Sequence, residues 1–312
     1  MHFSICQTIL QNISRVIVGK SRPMELLLTA LIAEGHALLN DVPGVGKTLM
    51  AKALAKSIGG SFKRVQFTPD LLPADITGFN IYDQKNSEFK FQPGPVMSNV
   101  LLADEINRTV PRTQASLLES MEERQVTVDG VTLPLPRPFF VVATQNPIDM
   151  EGTFPLPEAQ LDRFLLCIDL GYPSREEEAK ILERFQQDDP LSELQPVAAP
   201  HRIFELQQAR EKILVSAPVR EYIVAIVEAT RSFPALRYGA SPRGSLHLLK
   251  AAQALAMLRN REYVLPDDVK ALVVPLLSHR LILRMEEQLK GVTAPEILQE
   301  IVTGIPVPVS DE

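Results

Sequence analysis

The chain has no tryptophan and only two cysteines among 312 residues. Cys6 and Cys167 stand far apart and form no paired motif. That argues against a disulfide scaffold or a cysteine zinc site and makes a reducing cytoplasm the default location. The five histidines (His2, His36, His201, His247, His279) are scattered and lack H-x-x-x-H spacing. No run approaches the ~18 apolar residues that a membrane span needs. The N-terminus has no basic segment followed by an apolar stretch and a small-residue cleavage site, so no secretory signal is expected. Acids outnumber bases, giving a net charge of −6. A whole-surface nucleic-acid binder is disfavoured, while a local basic groove stays open.

The remaining composition is that of a globular protein, with 45% hydrophobic and 22% charged residues. It argues against disorder, collagen or coiled coil. A prior of roughly 150 residues per domain suggests two domains.

From about Val16 to Gly171, short apolar runs alternate with helical patterns. Candidate strands are His36–Asn40, Phe62–Phe67, Val100–Ala103, Phe139–Thr144 and Leu165–Asp169, as continuous as strands buried on both faces should be. Thr48–Ile58 repeats apolar residues at i, i+3, i+4 and i+7, one face of a helix. Strand–helix–strand alternation of this kind implies a parallel sheet. Ile76–Met97 reads as a hairpin with a loop. Asp129-Gly130 suits the primed turn of a second hairpin between Gln125–Val128 and Val131–Leu135. Ser174–Gln187 is a charged helix with Ser174 and Glu177 as a capping box. Asp188–Pro200 is a polar linker. Beyond His201 helical spacings recur between Pro and Gly, with no convincing strand.

Pro43-Gly44-Val45-Gly46-Lys47-Thr48 follows an apolar strand and opens an amphipathic helix, with Leu49 next to it as a further candidate nucleotide contact. Glycines let backbone N–H groups turn around phosphate oxygens, and the helix N-terminus adds its dipole. Lys47 suits the β- and γ-phosphates and the Thr48 hydroxyl suits Mg²⁺. The strict phosphate-loop pattern wants glycine where Asp41 stands. The third strand ends in Asp104-Glu105. Asp104 is the candidate second metal ligand and Glu105 the candidate to polarise an attacking water. Asn146, after the Phe139 strand, is a candidate polar contact to the γ-phosphate or that water. Arg163 can pair with Asp162 or Glu158, or project into a neighbouring subunit's nucleotide. Arg243 opens a helix of the C-terminal third, from which it could reach back to ATP. Taken alone, the sequence favours plain salt bridges for both arginines.

The ordered set resembles AAA+ ATPases, and its wording is closest to the MoxR family. The segments that carry this are Asp41-Val42-Pro43-Gly44-Val45-Gly46-Lys47-Thr48, Asp104-Glu105-Ile106-Asn107-Arg108, Pro157-Glu158-Ala159-Gln160-Leu161-Asp162-Arg163-Phe164, Ser241-Pro242-Arg243 and Leu277-Ser278-His279-Arg280. The resemblance implies an α/β P-loop NTPase fold, a three-layer α/β/α core with a parallel sheet at residues 1–190, and an all-helical lid at 200–312. It implies ATP and Mg²⁺ as ligands and a homo-hexameric ring with ATP between subunits. Lys47 and Thr48 would match Walker A, Asp104 and Glu105 Walker B, Asn146 sensor 1, Arg163 the arginine finger and Arg243 sensor 2. Val18 and Gly19 would lie on the adenine side. Residues 76–97 would be the helix-2 insert and 125–135 the pre-sensor 1 insert. By analogy, Gln66 or Thr68 is a candidate to restrain Glu105 until a partner binds.

The leading function is ATP-driven remodelling of a client protein, of the chaperone kind that assists metal or cofactor insertion. A von Willebrand factor A domain protein or a metalloenzyme is the expected client class. A nucleic-acid motor would want basic, aromatic loops, and the 76–97 insert balances Lys85 and Lys90 with Asp83 and Glu88. An ATPase subunit of a metal chelatase stays open, because a partner could hold the metal. A scaffold that binds ATP without turnover fits poorly with Glu105, Asn146 and Arg163 all present.

Overall fold

The computed structural model describes residues 3–40, 44–145, 153–186 and 190–308. Helices α1 (Phe3–Ser14) and α2 (Ser21–Ile32) precede strand β1 (Ala37–Asn40), and α3 (Lys47–Ser57) leads to β2 (Phe62–Gln66). A short α4 (Pro73–Thr77) and the hairpin β3 (Gly78–Asp83) and β4 (Glu88–Pro93) come before β5 (Val100–Asp104). A 3-10 turn (Ile106–Arg108), α5 (Pro111–Glu123) and the hairpin β6 (Gln125–Val128) and β7 (Val131–Pro134) lead to β8 (Phe140–Gln145). Then follow α6 (Glu158–Leu161) and β9 (Leu166–Ile168). The rest is almost wholly helical: α7 (Arg175–Phe185), α8 (Pro190–Glu193), α9 (Pro200–Arg210), α10 (Ala217–Ser232), α11 (Pro242–Leu258), α12 (Pro266–Leu277), α13 (Met285–Leu289) and α14 (Ala294–Gly304).

Five strands form one sheet in the order β2-β5-β8-β1-β9, and every pairing is parallel. All five carboxyl ends therefore share one edge, where ligands of such sheets bind. Alternate residues feed opposite faces. Val100 and Leu102 of β5 join the core with α2 and α3, while Leu101 and Ala103 join the core with Leu117, Leu118 and Met121 of α5. A fully buried leucine contributes roughly 1.5–3 kcal/mol, and β5 is buried from Val100 to Ala103. That burial explains its unbroken apolar run. The Asp129-Gly130 turn has φ of +50° and +81°, the double left-handed conformation of a type I′ hairpin. The capping box at Ser174 and Glu177 is formed.

Three features differ from the sequence reading or escape it. Residues Leu236–Tyr238 (β10) and Ile282–Leu283 (β11) pair antiparallel within the helical third. They are too short to leave a period-2 signal. Helices α1 and α2 carry no assignment from the sequence. In α2 every residue from Leu26 to Ile32 is buried, so no single apolar stripe marks it as amphipathic. It packs on α11, which joins the N-terminal helices to the lid core. The abundant proline also finds a use: eight helices of the described residues carry it in their first two positions. There the missing N–H costs nothing.

Both cysteines are free, and burial pushes each thiol up to about 12. Among the described residues, no helix is long and apolar enough to cross a membrane.

Three histidines are held neutral. His36 Nδ1 accepts from the Val141 N–H at 3.0 Å and Nε2 lies 3.1 Å from the Met121 carbonyl. Burial pushes its pKa down to about 4. Burial with Arg280 and Arg243 pushes His247 to about 3, and burial with Arg280 carries His279 well below its ordinary value. Below pH 6.5 the unfolded chain takes up protons that the folded chain refuses, so stability falls as pH drops. For His36 alone the loss by pH 5 is about 2 kcal/mol. The thermal unfolding midpoint should therefore fall steadily from pH 7.5 to pH 5. A flat profile would mean these rings are not held neutral.

Candidate active site

The phosphate loop sits at the carboxyl end of β1. Gly44 and Gly46 have φ of +88° and +92°, the left-handed region that side chains resist. Gly46 caps α3, whose first residue is Lys47. Gly44, Gly46, Lys47, Thr48 and Leu49 line a cavity of about 420 Å³ together with the charged and polar side chains of Arg64, Gln66, Asp104 and Glu105. A second, mostly apolar cavity of about 250 Å³ adjoins it through Gly44, Gly46 and Leu49. Its walls include Val16, Ile17, Val18 and Val45, with Ile181 and Phe185 of α7. Gly19 has φ +72°, and an added Cβ would collide with the Glu177 carboxyl. The turn before α2 thus packs directly on the start of α7.

Strand register assembles the acidic side. Gln66 is the register partner of Asp104, and Thr144 lies one residue past the Ala103–Ala143 pair. Arg64 is two residues before Gln66 and shares its face. Thr144 Oγ1 donates to Asp104 Oδ1 at 2.6 Å and accepts from the Glu105 N–H at 2.8 Å. Arg64 donates to Asp104 Oδ2 from Nε at 3.1 Å and Nη2 at 2.7 Å.

Glu105 takes a left-handed backbone, φ +56° and ψ +51°, a conformation costing on the order of 1–3 kcal/mol. The bend turns its side chain away from that of Asp104, so adjacent acids meet different partners. Glu105 Oε2 accepts from Gln66 Nε2 at 2.6 Å and pairs with Arg108 Nε at 3.1 Å. Of the two residues named as restraints, Gln66 is the one placed against Glu105.

The donor set suits a hard cation. Thr48 and Asp104 offer oxygen only, and both line one cavity. Among the described residues no cluster of three or more His, Cys, Asp or Glu could hold a metal unaided. Such a site suits Mg²⁺ shared with phosphate oxygens.

Arg163 and Arg243 lie elsewhere. Arg163 Nε pairs with Glu122 Oε2 at 3.1 Å, and Arg243 Nη2 with Glu122 Oε1 at 3.3 Å. Arg243 also stands 3.7 Å from Asp162. Both arginines line a separate cavity of about 210 Å³ with His247 and Lys250. Arg243 therefore lies outside the lining of the phosphate cavity of its own subunit and is held in salt bridges, the arrangement the sequence taken alone favours. Its helix opens onto the end of α5, where one carboxylate holds both guanidinium groups. Asp41, Val42, Pro43 and Asn146 lie outside the described residues.

Sequence reasoning missed Arg64, Thr144 and Glu122. The first two act across strands distant in sequence. Glu122 looks like one more acid on a solvated helix face.

Residues 36–166 match the ATPase family associated with various cellular activities (AAA), and residues 228–301 match the AAA lid domain. The chain is 53% identical to the uncharacterized protein YeaC of Bacillus subtilis, over 96% of this chain and 93% of that one. It is 42% identical to Chaperone MoxR1 of Mycobacterium tuberculosis, over 95% of this chain and 81% of that one. A crystal structure from Cytophaga hutchinsonii, described as a candidate ATPase, superposes with a TM-score of 0.92 at 38% identity, covering 99% of this chain and 96% of that one. A parallel five-stranded sheet with its phosphate loop and acid pair at one edge, a helical lid and these relatives together make the chain an ATPase of the MoxR family of AAA+ proteins.

Proposed function

We propose that the protein hydrolyses ATP with Mg²⁺ at the interfaces of a homo-hexameric ring and uses the cycle to remodel client proteins. The carrying observation is the joined pair of cavities, one mostly apolar and one lined by charged and polar side chains, meeting at Gly44, Gly46 and Leu49. An adenine fits the first and a triphosphate the second. Residues 1–190 serve as the ATPase core and 200–312 as the lid. Val18, Gly19 and Val45 bound the base. Asp41, Val42 and Pro43 complete the phosphate loop ahead of Gly44, Gly46, Lys47 and Thr48. Thr48 and Asp104 would hold Mg²⁺, which would supply charge neutralisation on the phosphates. Glu105 polarises the attacking water, Asn146 contacts it or the γ-phosphate, and Gln66 restrains Glu105 between turnovers.

Arg163 and Arg243 act in a neighbour's site. They sit together, half-exposed, and outside their own phosphate cavity. In the single subunit Glu122 occupies them. In the ring the neighbour's γ-phosphate replaces Glu122 as their anionic partner.

The client-binding element is the β3–β4 hairpin. Phe79, Ile81, Tyr82 and Phe89 are exposed on it, and Tyr82 and Phe89 pack edge to face at 5.3 Å. Exposed aromatics beside balanced charges favour a protein partner over nucleic acid. The name of the relative Chaperone MoxR1 supports the chaperone part of this reading. The client class in this proposal is a metalloenzyme or a von Willebrand factor A domain protein, and the setting is the cytoplasm. The test is a trap. Tagged Glu105→Gln protein is recovered from host extract with ATP, with and without nuclease, against a Lys47→Ala control. A nuclease-resistant protein that co-purifies only with ATP supports remodelling. Recovery of nucleic acid alone would make the protein a nucleic-acid motor.

A further inference from the structure

Arg163 sits in a short connection between α6 and β9, and the lid grips that connection from behind. Arg280 ends the 3-10 turn Ser278–Arg280 after α12, and its side chain is only 2% exposed. Its Nε donates to Asp162 Oδ1 at 2.7 Å. Its Nη2 donates to the carbonyls of Asp162 at 3.1 Å and Phe164 at 2.6 Å. Its Nη1 reaches the Leu165 carbonyl at 3.3 Å. Residues on both sides of Arg163 are thus fixed by one planar fork. His279 Nε2 lies 3.0 Å from the same Phe164 carbonyl. His247 Nδ1, on α11, lies 3.0 Å from Arg280 Nη2.

A buried ion pair is weak evidence for stability, because desolvation offsets most of its attraction. Its yield is geometry, and arginine's five donors in a rigid plane suit several acceptors at once. Here every such acceptor in the connection lies within two residues of Arg163. The fork belongs to the lid, while the connection belongs to the ATPase sheet.

We infer that Arg280 is a positioning residue for Arg163: the lid turn at Ser278–Arg280 sets the direction in which the finger leaves the subunit. A shift of one subunit's lid then alters hydrolysis in its neighbour's site. This rests on the reading above, that Arg163 serves the neighbouring nucleotide.

Subunit mixing with the full chain tests it. Arg280→Lys keeps the charge and loses the fork. Its kcat should fall about 10–100-fold, since a displacement near 1 Å costs about 10²-fold, with ATP affinity within about two-fold of wild type. Lys47→Ala subunits lose their own site and keep an intact finger segment. Mixed with them, Arg280→Lys subunits should regain turnover, because their sound sites now receive a well-placed finger. Arg163→Ala mixed with Lys47→Ala is the control. If that control mixture stays inactive, the shared-site reading fails and the inference with it. If the control recovers but Arg280→Lys does not, or if Arg280→Lys alone is as fast as wild type, Arg280 does not position the finger. Asp162→Asn removes the other end of the clamp and is judged by the same criteria if Arg280→Lys does not fold. Failure of both variants to fold would assign the clamp to stability and overturn the inference.

Discussion

Arg163→Ala should lower ATP turnover by about 10³–10⁵, the range an arginine finger supplies in related phosphoryl transfer. ATP affinity should hardly change, because Arg163 lines a cavity separate from the phosphate cavity of its own subunit. The mutant should also be cured from outside: subunits with a dead Walker A site but an intact Arg163 should restore turnover when mixed in. Fluorescent-nucleotide binding and phosphate release measure the two quantities separately. A near-wild-type rate would return Arg163 to the role of a salt bridge to Glu122.

Glu105→Gln should bind ATP and lose roughly 10²–10⁴ in rate, the usual contribution of a general base. The isosteric amide keeps the shape of the left-handed turn, so binding and ring formation should persist. The charge matters because the carboxylate now sits between Gln66 and Arg108, groups that hold it without consuming it. Gln66→Ala frees the same oxygen and should raise the basal rate rather than lower it. Equal rates for Glu105→Gln and wild type would remove Glu105 from the water-activating role.

The parts legible in the sequence are those that chemistry writes contiguously. A phosphate loop needs its glycines, Lys47 and Thr48 in one stretch, and Asp104-Glu105 must follow an apolar strand. The structure brings these to one cavity. The turn at Asp129-Gly130 is legible for the same reason, since two adjacent residues carry its conformation. The hidden parts depend on register or docking. The Arg64–Asp104 pair exists because β2 and β5 align Gln66 with Asp104. Thr144 reaches Asp104 only because β8 lies beside β5. Arg243 faces Glu122 because of how the lid docks, and no local spacing encodes that. Helix α2 was hidden by burial on all sides.

The most direct measurement is ATP turnover per subunit across a range of protein concentrations, with nucleotide binding and light scattering followed in parallel. Binding should be present at every concentration, because both cavities belong to one chain. Turnover per subunit should be negligible while scattering reports monomers and should rise to a plateau as rings form. Full turnover by monomers would contradict a site completed by Arg163 from a neighbour.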